Sequence, residues 1–110
     1  MEKIYKISSL LLVIMGAVHS SFTPFFYNSI NIDALWFFGT GLSYIFMGLY
    51  NLASIKVKIK SIFNITIALN FIGTVFTIAI TYILREPQSF IAMILVIFVF
   101  LNSVFVKMYD

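Results

Sequence analysis

The sequence predicts an all-α integral membrane protein, a four-helix antiparallel bundle with both termini on the cytoplasmic side. Three observations predict it: an apolar composition, four apolar segments of spanning length, and positive charge confined to one side. Of the 110 residues, 62% are hydrophobic and 10% are charged, and the mean hydropathy is +1.07. A soluble domain carries about 25% charged residues, so we expect most of this surface to face lipid.

The four apolar segments form one predicted transmembrane domain over residues 1–110. A helix needs about 20 apolar residues to cross the hydrocarbon core. Residues 91–101 do not alternate between apolar and polar side chains, which argues against a β-barrel. The predicted helices cover about residues 5–22, 34–53, 61–84 and 88–106.

Short connections separate these segments and place sequential helices antiparallel. The first helix is expected to close near Pro24, and Pro87 suits the first turn of the fourth helix. Asp33 is a residue type that favours helix N-caps. We therefore predict that Asp33 caps the second helix.

The positive charges predict the orientation. With four spans, six of the seven lysine and arginine residues fall on one side, and Arg85 lies on the other. The positive-inside rule then places both termini in the cytoplasm, with the chain in the cytoplasmic membrane. Aromatic residues at both predicted interfaces fit this arrangement. The six are Lys3, Lys6, Lys56, Lys58, Lys60 and Lys107; the aromatic residues are Tyr27, Trp36 and Tyr82 outside and Tyr5, Tyr50 and Tyr109 inside.

A cleaved signal peptide is the alternative reading of the N-terminal segment. Two lysines precede an apolar run, and a small residue, Ser20, could mark a cleavage site. Apolar character continues beyond that site through Phe22, which favours a retained span. Cleavage would leave three helices and remove His19.

His19 is the strongest single clue to function, because an ionisable residue within a span is costly. It could relay protons, contact a ligand or serve as an axial haem ligand, with the second from Met15, Met47 or a dimer partner. It could equally be a neutral histidine that locks two helices through a hydrogen bond to Thr77 or Thr40. We predict no cofactor and no metal site, because the chain has one histidine and no cysteine.

Small and polar residues at helical spacing predict the buried faces, because helices in lipid pack through such residues. Glycines on these faces, Gly39 among them, are expected to permit close helix approach. Asn70 lies near the predicted midplane and needs a protein partner. The predicted outward-facing pocket consists of His19, Thr23, Thr40, Tyr44, Asn70 and Thr77. An inner polar layer, which would line a path or only bridge helices, consists of Asn51, Asn64 and Asn102.

The chain lacks the residues that several kinds of chemistry require. The serines and threonines have no acid–base partners of the triad kind. No carboxylate lies within a predicted span, so a coupling site of the drug-exporter kind is not expected. We interpret the net charge of +3 as an orientation signal, so no nucleic-acid partner is predicted. The four carboxylates are Glu2, Asp33, Glu86 and Asp110.

The first half of the chain resembles small uncharacterised bacterial four-helix membrane proteins and is similar to the DoxX-like group. This resemblance implies the fold and the bacterial membrane location, and no settled activity. It marks His19, Trp36 and Asn51 as residues to test. The motifs are Gly16-Ala17-Val18-His19, Thr23-Pro24, Leu35-Trp36-Phe37, Gly39-Thr40-Gly41, Gly48 and Asn51-Leu52.

Three functions remain open on the sequence. The leading hypothesis is a pocket around His19 that binds a small molecule or lipid, with transport as an extension. The second is an accessory or structural subunit of a larger membrane complex without a ligand. The third is an enzyme or a haem-binding redox protein, and the lack of paired catalytic groups argues against it. Membrane lipids are the expected partners, together with further copies of the chain or a larger complex, since four short helices enclose little volume.

Overall fold

The computed structural model describes the backbone of residues 2–109 and the side chains of residues 2–106, and this part of the chain is helical with no strand. Four stretches are long and apolar enough to cross a membrane: α1 with α2, α3, α4 and residues 87–106 of α5. The prediction of an all-helical chain with four candidate membrane spans is thereby confirmed. The predictions for the side chains of Lys107 and Tyr109, and for Asp110, lie outside the described residues. The helices are α1 (Glu2–Ser21), α2 (Thr23–Phe26), α3 (Ile32–Val57), α4 (Lys60–Leu84) and α5 (Pro87–Tyr109).

The start of α3 differs from the prediction. The helix begins at Ile32, and Asn31 is its N-cap, with the side-chain oxygen accepting a hydrogen bond from the Ala34 N–H at 2.8 Å. The prediction that Asp33 is the cap is wrong, because the helix starts two residues before the apolar run. Asp33 lies instead in the first turn, where its charge interacts favourably with the helix dipole.

The first span contains a break at Phe22, between α1 and α2. The Phe22 N–H donates to the carbonyl oxygens of both Val18 and His19 at 3.2 Å, and the Phe26 N–H donates back to Phe22 O. Pro24 supplies no N–H to continue the regular pattern. The span therefore reaches Phe26, but its last turn does not continue the helix face of α1.

Both tight connections end a helix in the same conformation. Lys58 after α3 and Arg85 after α4 have φ values of 52° and 53°, in the left-handed region. Their N–H groups donate to Ser54 O at 3.1 Å and Thr81 O at 2.9 Å. This is the helix C-terminal motif in which glycine is the usual residue.

The helices pack as two pairs, α1 with α3 and α4 with α5, which are joined mainly through α1 and α5. The α1 and α3 backbones touch. A Cβ atom added to Gly16 would lie 2.5 Å from Gly41 O, and one added to Gly41 would lie 2.7 Å from Gly16 O. Gly39, which was also expected to permit close approach, faces open space, so that part of the prediction is wrong.

The interior is more polar than the surface along α4. Its buried face carries Asn70 and four threonines, as predicted, whereas Ile72 and Phe76 on the opposite side are 65% and 57% exposed. Such a surface is favourable only against lipid. The threonines are Thr66, Thr74, Thr77 and Thr81.

Candidate functional site

A cavity of about 880 Å³ lies between the two helix pairs. It is bordered by the C-terminal halves of α1 and α4 and by the N-terminal halves of α3 and α5. Cavities of about 300–1,000 Å³ are typical of small-molecule sites. Its aromatic lining consists of Phe22, Phe26, Tyr27, Trp36, Phe37 and Tyr44.

His19 lies in the wall of this cavity. Its ring stacks on Phe37, with the centroids 4.0 Å apart and the planes at 21°, and makes an edge contact with Tyr44 at 6.2 Å. Its Nε2 atom is buried, and within the described part of the chain it has no hydrogen-bond partner. The cavity wall therefore presents one unsatisfied polar atom in a largely apolar surrounding.

The expected hydrogen bond from His19 to a threonine is not formed. The Thr77 hydroxyl donates to Gly73 O at 2.6 Å, and the Thr40 hydroxyl donates to Trp36 O at 2.9 Å. Both hydroxyl groups are thus engaged within their own helices. The interpretation of His19 as a histidine locked by threonine is wrong, and aromatic stacking holds the ring instead.

Four of the six predicted pocket residues line the cavity, and two lie elsewhere. His19, Thr40, Tyr44 and Thr77 are in its wall. Thr23 follows the break at Phe22, donates to Ser20 O at 2.8 Å and borders a separate depression of about 340 Å³. Asn70 is the second residue outside the cavity, and it belongs to the cluster described next.

A cluster of four fully buried side chains joins all four spans. The Tyr5 hydroxyl donates to Asn51 Oδ1 at 2.5 Å, and the side-chain amides of Asn51 and Asn70 donate to each other's oxygens at 2.8 Å. Asn70 Nδ2 also donates to Ser103 Oγ at 3.0 Å. We call Tyr5, Asn51, Asn70 and Ser103 the four-helix polar cluster. It fills the bundle toward the end opposite the cavity.

The three asparagines of the predicted inner layer do not come together. Asn51 is in the four-helix polar cluster. Asn102 is buried but donates to Phe98 O of its own helix at 2.8 Å, and the side chain of Asn64 is exposed. Next to the cluster, a hydroxyl–hydroxyl hydrogen bond between Ser54 and Thr66 joins α3 to α4.

Sequence reasoning missed several residues at both sites. Tyr5 was assigned to the interfacial aromatic belt, yet it is fully buried. Of the aromatic lining of the cavity, Tyr44 was predicted, Tyr27 and Trp36 were assigned to the interface, and the three phenylalanines were not identified. The signal that could have identified these rings is their density, because seven aromatic residues fall in the stretch from Phe22 to Phe38. Ser103 gave no signal apart from the helical spacing to Val96 and Val99 on the same face.

Charge is distributed unevenly around the cavity. Among the described residues, Asp33 and Glu86 are the charged side chains in its lining. Glu86 accepts a hydrogen bond from Gln88, a neutral partner. Among the described residues the single ion pair joins Lys58 to Glu2, at 3.3 Å. In that same part of the chain, no three metal-ligating side chains come together.

The fold and site together define a small multi-pass helical protein with one large cavity at one end and a sealed polar cluster toward the other. Comparison with protein-family models finds no match. Comparisons with characterised proteins and with solved structures find none either.

Proposed function

We propose that this protein binds a small molecule or a lipid-derived group in the cavity beside His19. The observation that carries the proposal is the buried Nε2 atom, which has no partner among the described residues and lies in a mainly apolar wall. A buried polar atom without a partner costs about 1–3 kcal/mol. A ligand that offers one hydrogen-bonding group to Nε2 recovers this cost, and neutral imidazole can either donate or accept.

The remaining wall indicates the rest of the ligand. Phe22, Trp36 and Phe37 offer aromatic surface on the approach to His19, and flat aromatic surface favours an apolar body. The ligand is therefore an amphipathic molecule with an apolar part and one polar group. A lipid chain with its ester group and a free apolar metabolite both meet this description.

The orientation belongs to the same proposal. The spans run antiparallel in a bacterial cytoplasmic membrane with both termini inside, which is supported by six of the seven positive charges. The cavity, bordered by Asp33 in the first turn of α3 and by Glu86 just before α5, then faces outward. The resemblance to the DoxX-like group agrees with this compartment.

Transport is an extension that needs one further step. The four-helix polar cluster satisfies its side chains internally, so it closes the bundle beyond the cavity. Passage of the ligand would require these hydrogen bonds to open. Four spans enclose little volume, and self-association would supply the rest of a path.

Native mass spectrometry from a mild detergent tests the proposal. We expect the purified protein to retain a small molecule or lipid, and both His19→Ala and His19→Phe to lose it. His19→Phe is the matched variant, because it keeps a ring to stack on Phe37 and removes only the ring nitrogens. Equal retention by His19→Phe would contradict the assigned role of Nε2.

Further measurements on the same samples distinguish the alternatives. If the His19 variants unfold at lower temperature and no ligand is found in any sample, the histidine serves packing only. Co-purification with one fixed larger membrane protein would favour the accessory-subunit function. A Soret absorption band would favour haem binding.

A further inference from the structure

The charges around the cavity differ in sign from those of the chain as a whole. The protein has seven lysine and arginine residues, four carboxylates and a net charge of +3, with histidine counted as neutral. Two of the four carboxylates, Asp33 and Glu86, line the cavity, and none of the six basic residues whose side chains are described does. The lining therefore carries two negative charges within a positively charged protein.

The basic residue nearest in sequence does not cancel them. Arg85 precedes Glu86, but its guanidinium lies over the Tyr82 ring, 5.3 Å from the centroid, and its Nε donates to Tyr82 O at 3.2 Å. Neither Asp33 nor Glu86 forms an ion pair in the described part of the chain. No ion pair in the described part of the chain therefore neutralises either carboxylate at the cavity.

The aromatic side chains add attraction of the same sign. The faces of tryptophan, tyrosine and phenylalanine rings carry partial negative charge and attract cations, most strongly when water is excluded. Trp36, Tyr27 and Phe26 line the cavity together with Asp33 and Glu86. Carboxylates in a cleft concentrate cations near its opening, and the rings suit an apolar body that carries a positive charge.

We propose that the cavity selects lipophilic organic cations, with the charge held near Asp33 and Glu86 and the apolar body against the aromatic lining. This inference rests on the proposed function and specifies its ligand class. An ammonium centre attached to hydrocarbon has the required charge and can also donate a hydrogen bond. A phosphonium centre has the charge without a hydrogen bond for His19 Nε2, so it tests the charge alone. An anionic lipid headgroup does not, because both carboxylates would repel it.

The test uses two probes of one shape and opposite charge, tetraphenylphosphonium and tetraphenylborate. Trp36 is the only tryptophan in the chain and lines the cavity, so intrinsic fluorescence in an uncharged detergent reports on the site. We expect tetraphenylphosphonium to change Trp36 emission saturably and tetraphenylborate not to do so. Partition of either probe into micelles gives a signal that does not saturate.

Charge-neutralising variants show whether the two carboxylates are responsible. We expect the double variant Asp33→Asn with Glu86→Gln to weaken tetraphenylphosphonium binding about tenfold, as two partly screened charges are lost. The control is Glu2→Gln, which removes a carboxylate outside the cavity and leaves the affinity unchanged. Circular dichroism melting curves of all variants verify that each is folded.

Three results would overturn the inference. Tetraphenylborate binding as tightly as the cation would do so, as would unchanged affinity in the double variant. Absence of saturable cation binding is the third. If native mass spectrometry still finds a His19-dependent neutral ligand, the proposed pocket stands and only the charge selectivity fails. If no ligand of any charge is found, both fail together.

Discussion

Asn51 and Asn70 exchange two side-chain amide hydrogen bonds, each 2.8 Å long, across the contact between α3 and α4. Both side chains are fully buried. Tyr5 extends the pair to α1 and Ser103 extends it to α5. The contact between α3 and α4 is otherwise small, so this exchange is a principal link between the two helix pairs.

Removing Asn70 should therefore destabilise the protein more than removing a comparable asparagine. We expect Asn70→Ala to lower the free energy of unfolding by about 1–3 kcal/mol, because Asn51 and Ser103, on two other helices, lose hydrogen bonds. Unfolding by SDS titration in mixed micelles measures this.

The matched control is Asn102→Ala, whose amide donates only to its own helix and whose loss should cost clearly less. Combining Asn51→Ala with Asn70→Ala should be non-additive by about 0.5 kcal/mol or more. Equal costs at positions 70 and 102 would show that the four-helix polar cluster contributes little to stability.

Tyr5 and Tyr50 separate a buried tyrosine from an interfacial one. Tyr5→Phe deletes a hydroxyl that donates to Asn51, and we expect a loss of about 1 kcal/mol of unfolding free energy. Tyr50, which is 37% exposed, should tolerate the same change within about 0.5 kcal/mol. Chemical unfolding of both variants gives the comparison. An unchanged free energy of unfolding in Tyr5→Phe would favour the original assignment of Tyr5 to the aromatic belt.

The glycine contact between α1 and α3 predicts opposite results at two nearby positions. Gly41→Ala places a methyl group 2.7 Å from Gly16 O, and we expect a loss of about 1–3 kcal/mol because backbone must move. Gly39→Ala meets nothing within 4 Å and should be neutral or stabilising by up to about 1 kcal/mol through helix propensity. Thermal unfolding in detergent measures both. Similar melting temperatures for the two variants would argue against close backbone contact.

The proposed orientation can be tested on single cysteines, because the chain has none of its own. Ser29→Cys, in the connection before α3, should react with a membrane-impermeant maleimide on intact cells. Ser61→Cys, at the start of α4, should react only after permeabilisation. Both side chains are exposed, and neither change removes a charge that orients the chain. The reverse labelling pattern would overturn the orientation.

The helical faces were predictable because lipid reverses the usual pattern, leaving small and polar residues as the only favourable contacts between helices. Asn70, Thr74, Thr77 and Thr81 follow the helical repeat, and all of them are buried. The helix limits were less accurate, as at Ile32, because apolar character and helical hydrogen bonding do not end at the same residue.

Depth in the bundle was not predictable by counting residues from the helix ends. Such counting separated Asn70 from Asn51, but α4 begins 10 residues before Asn70 and α3 ends 6 residues after Asn51. Their hydrogen bonds require the helices to be staggered by about 6 Å relative to those ends. The extent of the cavity was missed for a related reason: a gap between helix pairs depends on how they diverge, which no local pattern records.

Lys58 and Arg85 each end a helix and carry a positive charge, two roles that usually fall to different residues. Each closes a helix in a left-handed conformation that costs a non-glycine residue about 1 kcal/mol, and each also carries a positive charge, which the positive-inside rule links to insertion. Under the proposed topology, Arg85 lies outside and opposes the excess of lysines inside. Its position is therefore explained by the reversal of the chain near the Tyr82 ring and not by the orientation of the protein in the membrane. Glycine at either position should relax the turn, but the effects on insertion should be opposite: Lys58→Gly weakens the inside signal, and Arg85→Gly strengthens it.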